Sequence, residues 1–188
     1  MARTSTRQKM ITSAVELLRE RGASVTVDAV LERSGAPRGS VYHHFPGGRA
    51  QILTEALDAA GSVITGFIEY SAVDGPVVAL HRFADFWKTT LVDSDYIAGC
   101  PVAGATLGGG DDSDAMRTGS AAIFGRWIDA MTAALEREGV DSDRARRLAS
   151  MSISAFEGAI ILARTMRSVE PIDDVVEELN LMLESLAR

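Results

Sequence analysis

Pro37-Arg38-Gly39-Ser40-Val41-Tyr42-His43-His44-Phe45 puts an arginine, a serine hydroxyl, a phenol and two imidazoles within nine consecutive residues. These groups suit phosphate oxygens and base edges better than the turnover of a substrate. An arginine in the first turn of a recognition helix can give two hydrogen bonds to guanine O6 and N7, which makes Arg38 the base-reading candidate. Gly39 has no side chain, so the backbone can come close to DNA. Ser40 and Tyr42 offer hydroxyls to phosphates, and His43 and His44 can donate to them, more strongly when protonated. Thr26 stands at a helix start, where backbone N–H groups also favour a phosphate. Arg49 and the arm residues Arg3, Arg7 and Lys9 are further phosphate candidates. Val41 and Phe45 are expected to point inward. His43 and His44 are adjacent, so on a helix they point about 100° apart. With no third ligand near, no metal is expected.

Two short helices must position these groups. The first begins at Thr26, a good N-cap, with Asp28 in its first turn. It breaks at Ser34-Gly35-Ala36-Pro37, where Gly35 permits a positive φ. The second is expected to begin at Pro37, whose missing N–H costs nothing in a first turn, and to end at Phe45. Two helices joined by a glycine-containing turn form a helix-turn-helix, which can lay its second helix in a major groove.

Ahead of this pair, Met10, Ile11, Ala14, Val15, Leu17 and Leu18 recur at helical spacing, with Thr4 or Ser5 as cap and Gly22 as stop. Behind it, a long helix over 48–70 carries Ile52, Leu53, Ala56, Leu57, Ala60, Val63, Ile64 and Phe67 on one stripe, and is expected to bridge two domains. Further helices are expected over 75–93, 101–107, 112–138, 142–168 and 171–187, with a glycine- and aspartate-rich loop around 108–112. No strand alternation and no internal repeat is visible. The expected fold is all-α with about nine helices: a three-helix domain over 1–47 and a larger helical domain over 48–188.

Charge divides along the same line. The net charge is −7, but residues 1–50 carry +4 (seven Arg and one Lys against four acids) and residues 51–188 carry −11 (11 basic, 22 acidic). A basic module facing a polyanion on an acidic body fits this split. The single cysteine, Cys100, excludes an internal disulfide and suits a reducing cytoplasm. No apolar stretch of signal type follows the basic start, and no apolar run nears the ~18 residues of a membrane span. His43, His44, His81 and Cys100 form no spaced catalytic set, and no phosphate loop with a lysine precedes a helix. Neither an enzyme nor a cofactor is expected.

Gly22, Thr26, Gly35, Gly39, Tyr42 and Phe45 together make residues 7–53 resemble the amino-terminal domain of TetR-family transcriptional repressors. Gly35 to Arg49, with Gly99-Cys100-Pro101-Val102-Ala103, resembles the LmrA/YxaF-like subgroup, whose members are drug- or flavonoid-responsive repressors, often of efflux or detoxification genes. Three residues depart from the family pattern. Gly48 stands where a lysine is frequent, Leu31 where a small alanine is usual, and Pro37 where Ser or Thr usually caps the recognition helix.

The resemblance implies a homodimer on double-stranded DNA with a palindromic operator. It also implies an interface built by the last two long helices. Small residues over 149–165 (Ser150, Ser152, Ser154, Ala155, Gly158, Ala159, Ala163) and an apolar last helix (Ile172 to Leu186) suit that role. An effector cavity is implied in the second domain, fit for a small, planar, apolar molecule. Phe83, Trp87, Cys100, Phe124, Trp127 and Phe156 are the ligand candidates. The aspartates Asp111, Asp112 and Asp114 are expected to be a solvated loop. The reading is therefore a cytoplasmic, ligand-responsive repressor; the alternative is a small-molecule-binding helical protein whose DNA module has decayed.

Overall fold

The computed structural model describes residues 5–107 and 113–186. Arg3, Thr4 and the 108–112 loop with Asp111 and Asp112 lie outside the described residues, as does the side chain of Leu186. Nine α-helices and no strand are present among the described residues, so the all-α expectation holds. No helix among them is long and apolar enough to cross a membrane.

Capping residues set the first boundaries. Helix α1 is Thr6–Arg21; the Ser5 hydroxyl accepts the Gln8 N–H at 3.1 Å, and Gly22 at φ 58° ends the helix. A 3-10 turn, Gly22–Ser24, leads to α2, Val27–Ser34. Thr26 accepts the Ala29 N–H at 3.2 Å, and Gly35 closes α2 in the left-handed region at φ 66°. Helix α3 is Ser40–His44, shorter than the expected 37–45. The cause is local. Both the Ser40 N–H (2.9 Å) and the Ser40 hydroxyl (2.6 Å) donate to the Pro37 carbonyl, so residues 37–39 form a turn that precedes the helix. The rest follow as α4 Gly48–Ala72, α5 Pro76–Asp93, α6 Pro101–Thr106, α7 Ser113–Arg137, α8 Ser142–Met166 and α9 Glu170–Leu186. Each lies within a few residues of its expected span.

The chain forms two compact units, Met1–Val63 with Cys100–Ile123, and Ile64–Gly99 with Phe124–Arg188. Helices α4 and α7 each contribute residues to both. In the first unit, Met10, Leu17 and Leu18 of α1 are buried with Val30, Val41, Phe45, Leu53 and Leu57. Leu31, larger than the family pattern, is also buried there. Helix α6 lies against the end of α1, and both sides of that contact are glycine. A Cβ on Gly22 would come 2.7 Å from the Gly104 carbonyl oxygen, and one on Gly104 would come 3.0 Å from the Leu18 carbonyl oxygen. The buried Ser120 hydroxyl donates to the Val102 carbonyl at 3.1 Å, which ties α7 to α6.

In the second unit, Trp87 and Trp127 are both buried. The Trp127 indole N–H donates to Thr65 Oγ1 at 2.9 Å, and Phe124 packs edge-on against its ring at 5.1 Å. Phe67, Phe83, Phe86, Trp87 and Phe156 form a continuous aromatic cluster with ring separations of 5.0–6.5 Å. Arg137 donates to the Ala72 carbonyl at 2.8 Å and so satisfies an acceptor at the end of α4. Lys88 of α5 reaches Asp173 of α9 at 3.0 Å.

Candidate nucleic-acid interface

Helix α3 has only five residues, and its two faces differ completely. Val41 and Phe45, one turn apart, are buried and fix the helix to the first unit. Tyr42 and His43 point outward, Tyr42 with 76% of its surface exposed. Arg38 and Gly39, in the turn before the helix, are exposed as well. Arg38, Gly39, Tyr42 and His43 are therefore presented on one short segment. His44 is half-buried; its ring lies edge-on to His43 at 4.8 Å and to Phe45 at 6.5 Å. The Ser40 proton is directed at the Pro37 carbonyl, and the Thr26 oxygen already caps α2. Both residues therefore shape the site locally before any DNA arrives.

Asp28, in the first turn of α2, meets Arg38 at 3.1 Å. The ion pair is open to solvent, with the arginine side chain 84% exposed, so it contributes little stability. What it does is hold one edge of the guanidinium and leave the rest of the fork outward. From the sequence, Asp28 is legible only as a helix-dipole residue. The signal for the pairing was the ten-residue spacing across a glycine turn, which sets the two side chains beside each other.

Arg49 behaves differently from the phosphate ligand expected of it. Its Nε donates to the Val25 carbonyl at 2.8 Å and its NH2 to the Ala23 carbonyl at 2.5 Å. These carbonyls belong to the loop between α1 and α2, so Arg49 fastens that loop to the start of α4. Gly48 has φ +60°, a conformation that disfavours the lysine frequent there in the family pattern. Arg7 is likewise engaged, paired with Glu55 and stacked over the Phe45 ring at 4.9 Å. Gln51 extends this network. It accepts the Gly47 N–H and donates to Glu55, both at 2.9 Å, which fixes the Pro46-Gly47 corner behind α3. Neither Gln51 nor Glu55 stood out in the sequence, because a polar residue on a helix gives no sign of its partner.

A bidentate pair joins α1 to α2: Arg33 donates to Glu20 at 2.5 and 2.8 Å. Hydrogen bonding from Arg33 holds the Glu20 carboxyl below the ordinary carboxylate range, and the same bond raises the Arg33 guanidinium. Both stay charged at neutral pH, so the angle between the two helices is held by a charge-assisted fork.

The second unit contains a cavity of about 60 Å³ lined by α4, α5, α7, α8 and α9. Of the six residues expected to meet a ligand, Phe83 and Phe156 stand in its wall, edge-on to each other at 5.0 Å. The other four lie elsewhere. Trp87 and Trp127 are packed in the core, and Phe124 rests on Trp127. Cys100 belongs to the first unit, where its sulfur accepts the Ala103 N–H at 3.5 Å and caps α6. Phe67, Leu80, Met131, Leu179 and Ser71 line the cavity as well.

Comparison with known proteins agrees with this architecture. Residues 10–56 match the family model for bacterial regulatory proteins of the tetR family, and residues 76–178 match that for the carboxy-terminal domain of LmrA/YxaF-like transcriptional regulators. The chain is 42% identical over 187 residues to an uncharacterized HTH-type transcriptional regulator of Mycobacterium tuberculosis, covering 96% of this chain and 95% of that protein. It is 27% identical to the HTH-type transcriptional repressor DhaR of a Mycobacterium species, covering 92% and 89%. In fold it is similar to the crystal structure of regulatory protein TetR from Rhodobacter sphaeroides, with a TM-score of 0.84 at 21% identity over 94% of this chain and 97% of that one.

Proposed function

Because this chain belongs to the TetR family of transcriptional regulators, with a carboxy-terminal domain of the LmrA/YxaF-like type, we propose that it is a homodimeric repressor of efflux or detoxification genes, released from a palindromic operator by a small apolar effector. Residues 1–47 bind DNA in this reading, and residues 48–188 hold the effector and the partner copy. The observation that carries the DNA role is the outward face of α3 and its preceding turn: Arg38, Gly39, Tyr42 and His43 exposed over a buried Val41 and Phe45. Arg38 reads a base, and Tyr42, His43, His44 and Lys9 meet phosphates. Thr26 and Ser40 act indirectly, Thr26 by capping α2 and Ser40 by holding the turn before α3. Arg49 acts indirectly, by holding the loop ahead of α2.

The dimer reading is supported by α8. Met151, Ala155, Gly158, Leu162 and Met166 recur every three or four residues, which places them on one stripe. Met151, Leu162 and Met166 are exposed, and a Cβ built on Gly158 meets nothing within 4 Å. A stripe this apolar and this open suits a twofold contact, where the same patch serves both copies.

The effector reading is supported by the cavity in the second unit, whose wall is almost wholly apolar. At about 60 Å³ it is smaller than the ~300 Å³ or more of ordinary ligand pockets, so an effector has to open it, and Phe83 and Phe156 have to part. Release of DNA then follows only if the ligand binds the DNA-free form more tightly than the DNA-bound form. The DhaR relative is named a repressor, which favours repression over activation.

Nuclease footprinting of the DNA flanking this gene tests the proposal. It is expected to show two protected half-sites related by a twofold axis, with centres ~34–36 Å or a multiple apart along the duplex. A single unsymmetrical footprint contradicts the dimeric operator, and no protection at any protein concentration contradicts the DNA role.

A further inference from the structure

Ser71 is 1% exposed and lines the cavity, and its hydroxyl has no hydrogen-bond partner. A serine inside a helix ordinarily turns its hydroxyl back to the carbonyl four residues earlier. Ser152, another lining residue, does so, donating to the Leu148 carbonyl at 2.9 Å. Ser71 does not. Buried donors without an acceptor are rare, and leaving one costs the full desolvation of the group.

No lining side chain is its hydrogen-bond partner. Phe67, Leu80, Phe83, Phe156 and Leu179 present only carbon, and no charged side chain stands among the lining residues. The Ala72 carbonyl, next along the chain, already receives Arg137. The cavity therefore holds one unspent hydrogen-bond donor in a surround whose other side-chain hydroxyl, Ser152, has its proton committed to Leu148.

We propose that Ser71 is the anchor of the effector site, and that the ligand is a neutral, largely apolar molecule carrying one hydrogen-bond acceptor, of the aryl-ketone or related carbonyl class. This rests on the reading of the cavity as the effector site. A charged ligand is disfavoured because nothing in the wall pairs with it. A pure hydrocarbon fits the apolar surface but leaves the hydroxyl unpaired. A carbonyl oxygen at Ser71 Oγ satisfies the donor and fixes the orientation of the ring between Phe83 and Phe156.

Acetophenone and ethylbenzene test this, since they have nearly the same shape and differ in the carbonyl. Each is titrated calorimetrically into the full chain and into Ser71→Ala, which removes only the hydroxyl. The ratio of the two affinities, acetophenone over ethylbenzene, is expected to fall by about 2- to 10-fold in Ser71→Ala, the worth of one neutral hydrogen bond. Ethylbenzene is expected to bind the variant at least as well as the unaltered chain. An unchanged ratio, with both probes bound, overturns the anchor and leaves the cavity reading standing. Binding of neither probe to the unaltered chain overturns the cavity reading, and the anchor with it.

Discussion

A chain carrying Ile161→Glu and Leu162→Glu is expected to sediment as a folded monomer and to lose operator affinity by about 100-fold or more. Ile161 and Leu162 are 54% and 53% exposed on α8, beside Met166 and one turn beyond the open Gly158. In a twofold interface each substitution occurs twice and faces its own copy, so four carboxylates enter one apolar patch. Burying an unpaired carboxylate costs several kcal/mol, and a loss of ~3 kcal/mol in association already exceeds a factor of 100. The monomer itself should be unharmed, because both side chains point away from its core. Sedimentation velocity with thermal unfolding separates the cases. A variant that stays dimeric places the interface elsewhere, and a variant that unfolds shows that α8 packs inside the monomer.

Arg38→Ala is expected to weaken operator binding by ~1–3 kcal/mol, the worth of a bidentate contact with guanine, or about 5- to 150-fold. The fold should not change, since the side chain is almost wholly in solvent and its pair with Asp28 is a surface pair. The informative comparison is between operator and random DNA, measured by fluorescence anisotropy at one salt concentration. A base contact loses more on the operator than on random DNA. Equal losses on both assign Arg38 to a phosphate, and the base reading then fails.

Much of the architecture was legible because the sequence punctuates it. Apolar residues recur at helical spacing in α1 and α4, and Ser5, Thr26, Gly22 and Gly35 cap or stop helices by mechanisms that need only neighbouring residues. The start of α3 was not legible, because Pro37 suits either a helix or a turn. The choice fell to Ser40, whose N–H and hydroxyl both take the Pro37 carbonyl. The exposure of Arg38, Gly39, Tyr42 and His43 could be read from residue type alone. The role of Arg49 could not, since its acceptors lie 24 and 26 residues away along the chain. The cavity was the least legible feature. An aromatic on a buried helix face looks the same whether its neighbours fill the space or leave it. Trp127 is therefore packed and hydrogen-bonded to Thr65 while Phe156 borders a void, and no local pattern distinguishes them. Ser71 passed unnoticed for the same reason: a serine near a helix end is ordinary until its hydroxyl is found without a partner.

The central claim is that the basic module, carried on an acidic chain, binds a specific DNA site. Its most direct test is the affinity of the purified chain for the DNA flanking its own gene, measured from 50 to 200 mM salt beside a scrambled duplex of equal length. Tighter binding to the flanking DNA is expected at every salt concentration, with an affinity that falls by about 10³-fold or more over that range, as contacts with six or more phosphates require. Equal affinity for both duplexes, or an affinity indifferent to salt, contradicts the claim.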